Sequence, residues 1–124
     1  MVEHKHLMAI AESSNPPKDV GKICSWMKKL VHDLGMVVLI KPKARYCDTV
    51  GNRGLTCICA IETSHIVLHA WDEGEIGLIQ LDVYTCAELN TDVVWNSLKQ
   101  FETSNIKYKF YDRKNNFTLL EEKP

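Results

Sequence analysis

The chain has 124 residues, the length of one ordinary domain, and its 15 basic and 16 acidic residues leave a formal charge of -1. This balance argues against the basic surfaces that bind nucleic acids or anionic membranes. No apolar run approaches the ~20 residues that span a bilayer, and the amino terminus has no signal-peptide pattern. The five cysteines are odd in number and scattered, which disfavours a disulfide framework. We therefore expect a cytoplasmic protein of one domain covering residues 1–124.

Hydrophobic periodicity predicts an alternation of strands and two helices. Pro16 or Pro17 is expected in the first turn of the first helix, and Gly35 is expected to end it. The polar stretch 41–54 is not assigned to a strand, and the tail after Asn115 is expected to be looser. In chain order the predicted elements are a strand at 6–11, a helix at 20–34, strands at 37–41, 56–62, 65–71 and 76–86, a helix capped by Asn90 or Thr91 with the stripe Val94, Leu98 and Phe101, and a strand at 106–111.

The order of these elements predicts the fold class. Short connections between consecutive strands favour antiparallel neighbours. Two helices on one face of a mainly antiparallel sheet make a two-layer α+β sandwich. The opposite face of the sheet then needs a cover, such as a second subunit.

The residues able to carry chemistry are concentrated between positions 62 and 86. His65 and His69 share one face of a strand but lie ~13 Å apart, too far for one metal ion, so we expect no metal site. Ser64 is not embedded in the GxSxG pattern of a nucleophile elbow, which disfavours a hydrolase triad. A hydroxyl, imidazoles that exchange protons near neutral pH, a carboxylate at Glu73 and a thiol at Cys86 remain.

Together these residues resemble the core motif of the prokaryotic S-adenosylmethionine decarboxylase proenzymes, in the pattern Ser64-His65-x-x-x-His69-x-Trp71-x-Glu73 followed by Asp82-x-x-Thr85-Cys86. Upstream, Gly54-Leu55-Thr56 resembles the Gly-x-Ser/Thr element of that family, eight residues before its reactive serine. The resemblance covers most of the chain, because length and element order also match, although the outer thirds match only in pattern.

The resemblance implies a proenzyme that cuts its own backbone between Thr63 and Ser64. Ser64 would become a covalent pyruvoyl group, so that pyruvate serves as the cofactor. Thr56 and His69 are implied in this processing, His69 by removing the Ser64 α-proton. The expected products are the fragments 1–63 and 64–124.

The resemblance also implies the reaction of the mature enzyme. The pyruvoyl group would form a Schiff base with the substrate amine and act as an electron sink for decarboxylation. Cys86 would return a proton to the substrate carbon, while Glu73, Trp71 and His65 are implied at the substrate site. The implied substrate is S-adenosylmethionine, whose decarboxylated form supplies aminopropyl groups for spermidine in polyamine synthesis. A homodimer of processed protomers is expected.

Departures from the family pattern bear on substrate recognition more than on the pyruvoyl chemistry. Thr63 is interposed between Glu62 and the reactive serine, and Val50 stands where an aromatic residue often stacks on adenine; Tyr46 is a candidate substitute. Two alternatives stay open: a pyruvoyl-dependent decarboxylase of ornithine or arginine, and a non-catalytic regulatory homologue. A metal-binding domain built from His4, His6, His65 and His69 is disfavoured by the strand geometry.

Overall fold

The computed structural model describes residues 2–124, and its seven strands form one antiparallel sheet in the order β2-β3-β4-β5-β1-β6-β7. Every strand pairing is antiparallel. The elements are β1 (Lys5–Ser13), α1 (Val20–Asp33), β2 (Val38–Cys47), β3 (Gly54–Ile61), β4 (Ser64–Trp71), β5 (Gly77–Thr85), α2 (Thr91–Leu98), a short 3₁₀ helix (Lys99–Phe101), β6 (Thr103–Asp112) and β7 (Thr118–Lys123).

Both predicted helices are present. Helix α1 begins after Asp19, whose carboxylate accepts a hydrogen bond from the Lys22 amide at 2.9 Å, so the expected start at Pro16 or Pro17 is wrong. The helix ends as predicted before Gly35, which adopts φ = +72°. Helix α2 has the predicted Asn90 cap, whose side chain accepts from the Asp92 amide. No helix in the described part of the chain is long and apolar enough to cross a membrane.

The sheet has one buried face and one open face. In β4, Ile66, Leu68 and Ala70 are buried on the side of the helices, while His65, Val67, His69 and Trp71 alternate with them and are half-buried on the other side. Side chains from α1 and α2 complete the core on the helical side. This arrangement confirms the predicted two-layer α+β sandwich.

The open face carries apolar side chains in solvent. Met8 and Ile10 on β1 are 40% and 36% exposed, and Ile58 on β3 is 49% exposed. Within residues 2–124, no further layer covers them. The expectation that a second subunit covers this face stays a prediction.

Two edge regions differ from the sequence-based expectation. Strand β2 continues through Lys41, Pro42 and Lys43 to Cys47, and β7 occupies the tail that was expected to be looser. Both lie at the edges of the sheet, where one side of the backbone stays unpaired. Charged residues and proline are tolerated there, so the hydrophobic alternation that reveals inner strands is missing.

Candidate functional site

Ser64 occupies a strained position at the start of β4. It pairs with Ile61 of β3 on one side and with Thr85 of β5 on the other, so its backbone is fixed by two ladders. Its φ angle is +144°, a value that residues with a side chain rarely adopt. Such a conformation costs on the order of 1–3 kcal/mol and persists only where the surroundings impose it.

The carbonyl just before Ser64 accepts two hydrogen bonds from one residue. The Cys86 amide donates to the Thr63 oxygen at 2.6 Å, and the Cys86 thiol donates to the same oxygen at 2.9 Å. The Cys86 sulfur also lies 3.6 Å from the Ser64 hydroxyl. The Thr63–Ser64 peptide bond is thus polarised at its carbonyl, with a hydroxyl one residue away. The buried Thr63 hydroxyl has no hydrogen-bond partner among the described residues.

A second pair of polar residues lies on β3 and β4. Thr56 is directly opposite His69, and its hydroxyl is hydrogen-bonded to the His69 Nδ1 atom at 2.9 Å. The close approach of the two strands depends on Gly54, since a Cβ atom there would lie 1.9 Å from the Ala70 carbonyl oxygen. The ring of Trp71 lies 6.0 Å from that of His69.

The two pairs do not meet within one chain. Ser64 and His69 are five residues apart on the same strand, which corresponds to roughly 17 Å. The structure therefore brings Ser64 to Cys86 and Thr56 to His69, but it leaves the hydroxyl and the imidazole in separate half-sites.

A cluster of rings and charges lies beside the Ser64 half-site on the open face. The Asp82 carboxylate is bonded to His6 Nε2 at 2.7 Å and to His65 Nε2 at 3.3 Å. Burial raises the pKa of Asp82, but the hydrogen bonds from the two histidines outweigh it and leave that pKa below its usual range. His65 is thus held in place by Asp82, and its ring packs edge-on against Tyr84.

The remaining predicted residue, Glu73, lies in the connection between β4 and β5, and its carboxylate binds the turn between β2 and β3. One of its oxygens accepts hydrogen bonds from the Gly51 amide at 2.8 Å and from the Arg53 amide at 2.9 Å. Its assignment to the substrate site stays a prediction. Val50 in the same turn is 76% exposed.

Tyr46 lies away from the half-site formed by Thr56 and His69. It pairs with Leu55, whose side chain is buried on the helical side, whereas Thr56 and His69 belong to the open face. Its hydroxyl donates to Asp72 at 2.7 Å, which raises the pKa of Tyr46 to about 12. Tyr46 is therefore not placed to stack on a ligand held beside His69.

Residues 5–114 match the sequence model of the family described as S-adenosylmethionine decarboxylase. The chain belongs to the S-adenosylmethionine decarboxylase family. This membership confirms the resemblance and the expected class of enzyme, a decarboxylase of this family. Comparison of the sequence with curated proteins gives no match.

The fold agrees with this family. The structure is similar to a crystal structure of the adenosylmethionine decarboxylase from Aquifex aeolicus, with a TM-score of 0.69 over 99% of this chain and 97% of that one. Sequence identity between the two is 19%, so this likeness concerns the fold alone.

Two residues beside the Ser64 half-site of this family member were not assigned to it from the sequence: His4 was considered only as a metal ligand, and Arg113 was not singled out. The Arg113 amide donates to the His4 carbonyl at 2.8 Å, and His4 directly precedes Lys5, which pairs with Thr85, the residue before Cys86. Arg113 and His4 come from opposite ends of the chain, so that only the β6-β1-β5 pairing could have revealed them.

Proposed function

We propose that the protein is a self-processing, pyruvoyl-dependent decarboxylase that acts on S-adenosylmethionine. One observation carries the proposal: the backbone at Ser64 is strained, and the carbonyl before it accepts hydrogen bonds from both the amide and the thiol of Cys86. An ordinary turn serine requires neither feature.

The proposed cleavage starts with attack of the Ser64 hydroxyl on the Thr63 carbonyl carbon. The C–N bond breaks, an ester forms, and the hydroxyl proton ends on the freed Ser64 nitrogen. The two Cys86 donors are aimed at the oxygen that gains charge in this step. Removal of the Ser64 α-proton then expels the Thr63 carboxylate, and addition of water with loss of ammonia converts the resulting dehydroalanine into a pyruvoyl group.

The residues around Ser64 fit such a group. Position 64 is paired with β5 through Thr85, so the new amino terminus remains held in the sheet after cleavage. A pyruvoyl group at this position would supply a carbonyl for the substrate amine and an electron sink for decarboxylation. The Cys86 thiol beside it is placed to return a proton to the substrate carbon.

A second copy of the chain completes the site in this proposal. The α-proton of Ser64 needs a base, and His69 of the same chain lies roughly 17 Å away along β4. Two open faces packed together, with a two-fold axis crossing the strands near Val67, bring His69 and Thr56 of one copy to the end of β4 at which Ser64 and Cys86 of the other lie. The exposed Met8, Ile10 and Ile58 supply apolar surface for this contact.

The proposed physiological role is the supply of decarboxylated S-adenosylmethionine for spermidine synthesis. Cys86 must stay a reduced thiol to donate a proton, and the cytoplasm is the compartment that keeps thiols reduced. We therefore place the reaction there.

One observation favours a second candidate substrate. The β2–β3 turn presents Val50 to solvent, and Tyr46 lies on the opposite face from His69, so this loop offers no aromatic ring for an adenine base. A smaller amino acid without a nucleobase, such as ornithine or arginine, needs no such ring. The same pyruvoyl chemistry would then act on a different side chain.

Intact-mass spectrometry of the purified protein tests the processing. The wild-type chain is expected to separate into 1–63 and 64–124, with the second fragment starting in a pyruvoyl group, while a Ser64→Ala variant stays whole. A Ser14→Ala variant, altered at an exposed serine, controls for nonspecific effects and should cut normally. A wild-type chain that stays intact after long incubation contradicts the proposal.

Measurement of CO₂ release tests the substrate. Cleaved protein is supplied separately with S-adenosylmethionine, ornithine and arginine, each labelled in the carboxyl group. Release from S-adenosylmethionine alone supports the first candidate, and release from ornithine or arginine alone replaces it with the second. Cleaved protein that releases CO₂ from none of them overturns both substrate assignments.

A further inference from the structure

We propose that Arg113 recognises the carboxylate of the substrate and so distinguishes the substrate from its decarboxylated product. This inference rests on the proposed function, because it assigns a substrate-binding residue to the same site. Arg113 is distant in sequence from every residue of the family motif.

Strand pairing brings Arg113 to the Ser64 half-site. Lys5 of β1 is opposite Asp112 of β6 and opposite Thr85 of β5, so the preceding residue, His4, lies between Arg113 and Cys86. The Arg113 amide donates a hydrogen bond to the His4 carbonyl at 2.8 Å, which fixes the arginine backbone beside His4. On the far side of His4, the Cys86 amide donates a hydrogen bond to the Thr63 carbonyl.

The side chain of Arg113 lies over Tyr84 of β5, the strand that pairs with Ser64. Its guanidinium carbon lies 3.9 Å from the centre of the Tyr84 ring and 5.8 Å from the centre of the Phe117 ring. Tyr84 and Cys86 are alternate residues on one face of the chain, about 7 Å apart. The cation therefore lies on the residue two positions before the cysteine that is proposed to protonate the substrate carbon.

The positive charge of Arg113 has no carboxylate partner within residues 2–124. The two nearby acids are engaged elsewhere: Asp82 binds two imidazoles, and Asp112 pairs with Lys5 at 3.6 Å and accepts from the Asn115 amide group at 2.8 Å. Arg113 is half-buried rather than fully solvated. A guanidinium stacked on a ring, with its fork of donors unused, suits an incoming carboxylate.

The chemistry of the reaction gives this contact a direction. The substrate carries a carboxylate on the carbon that Cys86 later protonates, and this group leaves as neutral CO₂. A guanidinium that holds it fixes the bond to be broken, and the contact disappears when that bond breaks. The product amine then keeps only its other contacts, which favours its release.

The test compares substrate with product in an Arg113→Gln variant. Borohydride reduction fixes any amine bound to the cofactor carbonyl, and the mass of the 64–124 fragment reports the trapped fraction without relying on turnover. The concentration of S-adenosylmethionine that gives half-maximal trapping is expected to rise about 10- to 100-fold, because one charged hydrogen-bonded contact is lost. The corresponding concentration of decarboxylated S-adenosylmethionine is expected to change less than about twofold. Lys114→Gln removes a neighbouring charge whose amine bonds the Val2 carbonyl, and it should change neither value.

The outcomes separate this inference from the proposed function. Suppose that the wild-type protein cuts itself and traps both ligands. An Arg113→Gln variant that then traps both as the wild type does, or traps both more weakly to the same extent, overturns the role of Arg113 alone. Wild-type protein with no pyruvoyl group overturns the proposed function and the inference with it. If Arg113→Gln does not cut itself, Arg113→Lys keeps the charge but loses the fork; weakening of S-adenosylmethionine trapping alone then supports the inference, and unchanged trapping overturns it.

Discussion

Mixing two inactive variants tests whether Ser64 and His69 act together across two chains. Ser64→Ala removes the residue that is cut, and His69→Ala removes the base. The structure separates these residues by roughly 17 Å on one rigid strand. That distance is several times a hydrogen-bond length, and no side-chain rotation brings His69 to Ser64 within one chain. Each variant lacks one of the two groups, so neither variant alone is expected to cut.

Co-expression in equal amounts is expected to restore cleavage in one of the two chains. Random pairing makes about half of the dimers mixed, and each mixed dimer has one complete site: Ser64 from the His69→Ala chain and His69 from the Ser64→Ala chain. About half of the His69→Ala chains should therefore be cut, and none of the Ser64→Ala chains. Intact-mass spectrometry separates the two chains and their fragments.

Two results refute this reasoning. Cleavage of the His69→Ala protein alone at the wild-type rate shows that the imidazole is not needed. A mixture that contains mixed dimers, identified by a tag on one chain, but stays uncut shows that the half-sites do not complement each other. His32→Ala, which removes an exposed histidine of α1, is the control and should cut normally.

Three further predictions concern single positions. Gly54→Ala is expected to destabilise the fold by about 1–3 kcal/mol or more in urea unfolding, because the new methyl group meets the backbone oxygen of Ala70 at 1.9 Å; an unchanged midpoint would contradict the close approach. Asp82 has a lowered pKa in the folded state, so its contribution to stability is present above pH of about 4 and is lost below it; the loss of stability between pH 6 and pH 3 should be smaller in Asp82→Asn. Burial raises the pKa of Cys57 to about 12, whereas hydrogen bonds from the following turn lower the pKa of Cys47, so iodoacetamide at pH 7.5 should label Cys47 well before Cys57, as peptide mapping would show.

The sequence predicted the parts of the fold whose residues are buried on one face. Helix α1 was visible because its apolar stripe repeats with the helical period, and β4 because it is a short apolar run in which Ile66, Leu68 and Ala70 alternate with His65, Val67 and His69. The extension of β2 and all of β7 were not predicted, since edge strands bury little and their hydrogen bonds leave no mark on composition.

The candidate site was predicted by residue but not by arrangement. The motif named Ser64, Cys86, Thr56 and His69, yet spacing along a strand did not show that they form two separate pairs until β3 and β5 were placed beside β4. The conformation of Ser64 was also invisible, because a serine at φ = +144° is imposed by its neighbours and not by its own preference. Arg113 was missed because its position depends on pairing between strands far apart in sequence.

The separation of the two half-sites gives the proposed processing an order of events. A folding chain that forms the turn before β4 and pairs β4 with β5 already strains Ser64 and already polarises the Thr63 carbonyl through Cys86. It still lacks the His69 imidazole at the Ser64 α-proton, since His69 of the same chain lies roughly 17 Å away along β4 and the adjacent His65 is bonded to Asp82. The backbone therefore stays whole until two open faces meet, and the same contact that hides Met8 and Ile10 from solvent supplies the missing imidazole. Cleavage in this scheme follows assembly, because the strain is stored in one chain and the group that releases it belongs to the other.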